Sequence, residues 1–83
     1  MNYVKYPENF DEYAWELSSK GHFEVQAVVD GVTINVSFYD NHRLQQDTKL
    51  SEELGEEFLT ENIIIVDIVE KDKMDAAIRS FQP

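Results

Sequence analysis

Residues 23–39 read FEVQAVVDGVTINVSFY, two strand-forming runs on either side of Asp30-Gly31. An Asp-Gly pair between alternating apolar residues is a strong short-range signal for a two-residue hairpin turn, because both central positions need positive φ. Asp tolerates that conformation and Gly adopts it without steric cost. With Asp30 and Gly31 as the loop, Val29 faces Val32, Ala27 faces Ile34, Val25 faces Val36 and Phe23 faces Phe38. Side chains alternate across a strand, so all of these residues share one face, and all are apolar. The opposite face carries His22, Glu24, Gln26, Val28, Thr33, Asn35, Ser37 and Tyr39. A slip of one residue would turn the apolar set to water, which specifies the register.

Upstream, Tyr3, Val4 and Tyr6 form an extended lead-in that Pro7 interrupts. Asn9 can cap a helix whose stripe is Phe10, Tyr13, Ala14 and Leu17 and which Gly21 ends. Trp15 lies off that stripe and reads as a rim residue lapping over the core. Downstream, Asp40 or Asn41 caps a second helix with a thin stripe of Leu44, Asp47, Thr48, Leu50 and Leu54. Gly55 ends this helix near Leu54, a run on to Leu59 being the alternative. IIIVDIV, residues 63–69, reads as a third strand. Burying Asp67 unpaired is costly, so Ile64, Val66 and Ile68 are assigned to the core, and Ile63, Ile65, Asp67 and Val69 to the far face. Asp72 caps a last helix with the stripe Met74, Ala77, Ile78 and Phe81.

The expected fold is therefore α+β with element order αββαβα. A three-stranded mixed sheet is built on the 23–39 hairpin, with helices mainly on one face, as a single domain spanning 1–83. The helix between the second and third strands suits a right-handed parallel crossover. Residues 32–39 contain no charge and no proline. That composition is hazardous at a sheet edge and normal in a central strand, which favours the strand order 1-2-3. The order 2-1-3 would instead leave this strand free to pair with another chain.

Composition narrows the function. Seventeen acidic and seven basic residues give a formal charge of −10. Affinity for nucleic acid and for anionic membranes comes from positive charge, so neither is expected as a partner. The longest apolar run, Ile63–Val66, is too short to span a bilayer. MNYVKYPENF lacks the basic start and apolar run of a secretory signal, which makes the cytoplasm the expected location. Without cysteine there is neither a disulfide nor a CxxC-type metal or redox site.

A weak candidate for chemistry lies at the open end of the hairpin, where His22, Tyr39, Asp40 and His42 converge, with Glu24 beside them. Two imidazoles and a carboxylate can hold Zn²⁺ or form an acid–base pair. Their spacing matches no zinc motif such as HExxH, and surface histidines are the stronger reading. No catalytic residue, metal or cofactor is assigned. More informative is the far face of the sheet. A three-stranded sheet is about 14 Å wide and a helix about 10 Å across, so three helices cannot lie flat on one face. Either part of this chain or a partner must cover Ile63, Ile65 and Val69. With the acidic run holding Glu52, Glu53, Glu56 and Glu57, these residues make the candidate partner-binding surface. The expected function is a small acidic protein-binding module, antitoxin-, immunity- or inhibitor-like in physical character, engaging another protein or itself. The alternatives are a small metal-dependent or acid–base enzyme using His22, Asp40 and His42, and an accessory subunit without separate activity.

Overall fold

A computed structural model describes residues 1–55 and 62–81. The hairpin forms as the pattern requires. Strands His22–Val29 (β2) and Val32–Tyr39 (β3) pair antiparallel, with Phe23 opposite Phe38, Val25 opposite Val36, Ala27 opposite Ile34 and Val29 opposite Val32. Asp30 and Gly31 close the turn at φ 52° and 81°.

The sheet has four strands, which corrects the three-strand expectation. Tyr3–Lys5, read from sequence as a lead-in, is a strand (β1) pairing antiparallel with residues 26–28 of β2. Ile63–Ile65 (β4) pairs parallel with residues 37–39 of β3. The sheet order is β1-β2-β3-β4, and the element order becomes βαββαβα. A three-residue edge strand earns little from its own sequence. It forms because Val4 falls opposite Ala27, on the core face, and is buried there.

Helices Phe10–Lys20 (α1) and Lys71–Arg79 (α3) pack on that same face. Phe10, Leu17, Met74 and Ile78 join Val4, Phe23, Ala27, Val29, Val36, Phe38 and Ile64 in one buried cluster. The rings of Phe10 and Phe23 lie 5.6 Å apart, tilted toward edge-to-face contact. Helix Asn41–Glu53 (α2) behaves differently. Its first turn is anchored at the open end of the hairpin, where Arg43 Nη1 donates to Lys20 O over 3.0 Å. Among the described residues it alone of the helices buries no side chain.

Helix ends follow local chemistry, with two corrections. Gly21 terminates α1 in the left-handed conformation, its N–H donating to Leu17 O, and Asp40 caps α2 by accepting from Arg43 N at 2.7 Å. Asn9 holds the cap position of α1 but makes no side-chain cap bond; there Phe10 N donates to Pro7 O instead. Asp72 does not cap α3. The helix begins at Lys71 with Glu70 in the cap position, and Asp72 lies in the first turn, where its charge suits the helix dipole.

The third predicted strand is also shorter than the pattern suggested. β4 ends at Ile65, although Val66 N still donates to Tyr39 O. Beyond it a tight turn, closed by Glu70 N on Ile68 O, redirects the chain into α3 and reverses the alternation. Val69 is fully buried and Ile68 is exposed, the opposite of the assignment by strand parity. Trp15 is 73% exposed and does not lap over the core.

Candidate functional site

Where the two strands of the hairpin open, His22 and Tyr39 are cross-strand neighbours. Their rings stack with centroids 4.3 Å apart, and Tyr39 is buried. The other two members of the predicted cluster serve local structure. Asp40 turns its carboxylate to the first turn of α2, and His42 is an exposed residue of that turn whose Nε2 lies 3.0 Å from Gln46 Nε2. The described residues gather no group of three His, Cys, Asp or Glu able to hold a metal ion. The hairpin thus brings His22 and Tyr39 together, while Asp40 and His42 turn to partners on α2.

His22 nonetheless has an unusual setting. Its Nε2 is buried without a hydrogen bond, and Glu24 Oε1, at 3.8 Å, is too distant to supply one. Burial lowers the affinity of the imidazole for a proton, and Arg43 adds to this, while Glu24 and Asp47 oppose it. A histidine held neutral by the fold binds its proton more readily when unfolded. Its contribution to stability is therefore complete above the ordinary value of 6.5 and declines as pH falls through that value. Lowering pH also relieves repulsion in so acidic a chain, so the signature lies in a comparison. Between about pH 7.5 and pH 5.5, wild type is expected to lose denaturation midpoint relative to His22→Gln. Parallel curves in urea would rule this out.

The predicted partner surface divides. Ile63 is half-buried and Ile65 exposed, both on the face opposite the main core, and Glu52 and Glu53 are exposed on α2. Val69 is in the core, because of the turn before α3, and cannot contribute. Glu56 and Glu57, like the alternative helix end at Leu59, lie outside the described residues. The structure adds Leu50 and Leu54, which were read as part of a thin apolar stripe. They are 53% and 62% exposed. The sequence held a signal for this, since that stripe was the thinnest of the three.

A second constellation had no signature in the sequence. Tyr6, just after β1, donates from its hydroxyl to Asp75 Oδ1 at 2.7 Å, and Lys71 Nζ reaches Asp75 Oδ2 at 2.9 Å. Burial and the adjacent carboxylate push the Tyr6 hydroxyl well above its usual range. Partial burial of Asp75 opposes its ionisation, but the hydrogen bonds from Tyr6 and Lys71 outweigh it and hold the carboxyl below its usual range. A cleft of about 350 Å³ opens beside these groups, between β1 and α3, with Asn2 and Arg79 also on its walls. Both carboxylate oxygens are engaged, so the arrangement fastens an edge strand to a helix and leaves no group poised as a base.

Compared with known protein families, curated proteins and solved structures, the chain matches none.

Proposed function

We propose that this chain is a small acidic protein-binding module that engages a partner protein through α2. The observation that supports this reading most directly is the exposure of Leu50 and Leu54 on a helix with no buried side chain. A helix of this kind gains little from its own domain, since helices draw most of their stability from packing an apolar face. Leucines flanked by exposed Glu52 and Glu53 have the arrangement of an apolar contact with a charged rim. With a formal charge of −10 on the chain, a basic partner surface is favoured, chiefly through faster association. Exposed Ile65 on β4 is a second apolar contact point.

The test is affinity capture from native lysate with wild type and with the double variant Leu50→Asp/Leu54→Asp. Both substitutions are at exposed positions, and circular dichroism should show an unchanged fold. A protein retained by wild type, released near 0.5 M salt (about three times physiological ionic strength) and not retained by the variant is the expected result. Equal retention by the two, or retention of nothing, would overturn the proposal.

A further inference from the structure

β1 is the outermost strand of the sheet, and two cations stand beside it. Ser37 N donates to Asn62 O at 3.1 Å, so Ser37 and its cross-strand neighbour Glu24 aim their backbone groups away from each other. By alternation Gln26 and Val28 aim the same way as Glu24, toward β1, where they meet Lys5 and Tyr3. Val4, opposite Ala27, therefore turns its N–H and C=O outward. Among the described residues nothing bonds to either group. The space alongside is the cleft of about 350 Å³ between β1 and α3, lined by described residues on both sides. α3 runs antiparallel to β1, its end held at Asn2 through Ile78 O and Phe81 O and its start held at Tyr6 through Lys71 O. Arg79 stands at the Asn2 end of the cleft, oriented by its Nε donating to Asp75 O at 3.2 Å. Lys71, at the other end, is neutralised by Asp75. No described carboxylate forms an ion pair with Arg79.

We propose that this cleft takes an extended peptide of another protein, added antiparallel to β1 as a fifth strand, with a carboxylate of the peptide on Arg79. Antiparallel pairing lets one peptide residue exchange both of its backbone bonds with Val4, whereas a parallel strand would need two residues to do so. Side chains alternate along the added strand. The one opposite Val4 enters the cleft toward Ile78, and the one two residues on, opposite Asn2, reaches Arg79. The peptide runs from the Tyr6 end to the Asn2 end, so the pattern recognised is an apolar residue, any residue, then Asp or Glu. Main-chain bonds hold such a strand and the flanking groups select it. A second copy of this chain does not fit by its own edge, because residues 2–6 bring Lys5 and no carboxylate. The formal charge of −10 does not forbid an acidic ligand. At physiological salt, charges beyond about 8 Å are largely screened, so Arg79 decides locally. The contact is short and the complex is expected to be weak, with dissociation on the order of 0.1–1 mM.

The probe is the end-blocked hexapeptide Thr-Thr-Val-Thr-Asp-Thr, titrated to about 2 mM into the isotope-labelled protein at about 0.15 M salt, above the expected dissociation constant. A saturable shift of the Val4 amide resonance is expected. Asn in place of the peptide's Asp should weaken binding about three- to tenfold. Methylating the backbone nitrogen of the peptide's Val removes the donor to Val4 and should abolish binding. The reversed sequence, Thr-Asp-Thr-Val-Thr-Thr, sets its carboxylate near Asp75 and should also bind less well. In Arg79→Gln, at an exposed position, the Asp and Asn peptides should bind alike. Should that variant fail to fold, the peptide comparisons with wild type decide alone. No saturable shift, or equal binding by the methylated or the reversed peptide, would overturn the proposal. It does not depend on the α2 surface: Leu50→Asp/Leu54→Asp should bind the probe as wild type does, so either proposal can fail alone.

Discussion

Phe38→Ala is expected to cost about 3–5 kcal/mol, as for other large buried aromatic residues truncated to Ala. Phe38 is completely buried, paired with Phe23 on one side and Ile64 on the other. Its ring is therefore packed where the hairpin meets the parallel strand, and no exposed group can move inward to fill the space it leaves. A core in a domain this small usually nets only about 3–5 kcal/mol. The variant should consequently show little or no cooperative transition in urea, followed by circular dichroism. Phe81→Ala is the control, because Phe81 packs against the same core from a partly buried position. It should lose clearly less. A Phe38→Ala protein with a midpoint close to wild type would mean that the sheet is not centred on this residue.

Gly21→Ala should be the next most damaging change, for two separable reasons. Gly21 has φ +69°, where a β-carbon is strained by about 1–3 kcal/mol. In addition, a Cβ there would stand 2.6 Å from Asp40 Oδ2. Asp40 cannot simply retreat, since Oδ1 caps α2 through Arg43 N and its own N–H donates to Gly21 O at 2.9 Å. Losing such a cap costs about 1 kcal/mol. A total near 2–4 kcal/mol follows from these two contributions. Gly31→Ala isolates the first, because Gly31 also has positive φ but nothing lies within 4 Å of the added carbon. Chemical denaturation of the two variants should place Gly21→Ala well below Gly31→Ala. Equal midpoints would show that Asp40 yields without cost.

The contrast between these sites reflects what a sequence can carry. The register of the hairpin was legible because a two-residue turn and strict alternation are local, and each enforces the other. The capping by Gly21 and Asp40 was legible at each residue separately. That the end of α1 and the start of α2 are one joint was not, because it depends on a cross-strand distance. β1 was hidden for a related reason. Tyr3-Val4-Lys5 has the propensity to extend, but its partner lies more than twenty residues away and nothing local selects it. The parity of residues 63–69 failed at the turn into α3, where a chain leaving a sheet need not keep its alternation. The acidic surplus was plain, yet composition cannot locate the surface it serves. The exposed leucines on α2 were visible only once the neighbouring elements had taken their places.

Asn2 has a consequence of its own for how the molecule comes apart. Its amide nitrogen donates to Ile78 O and Phe81 O at 3.0 and 3.1 Å, and its oxygen accepts from Asp30 N at 3.1 Å. One side chain thus clasps the tip of the hairpin to the end of α3, with Tyr6 and Asp75 forming a second fastening a few residues on. These contacts close loops of up to 79 residues, whereas those within the hairpin, from Val29 with Val32 out to His22 with Tyr39, close far shorter ones. Loop closure of that length is entropically costly and is recovered only when the rest has assembled. β1 and α3 should therefore be the last parts to dock during folding and the first to leave. They would do so together, as one cooperative unit that opens while the hairpin and α1 stay closed.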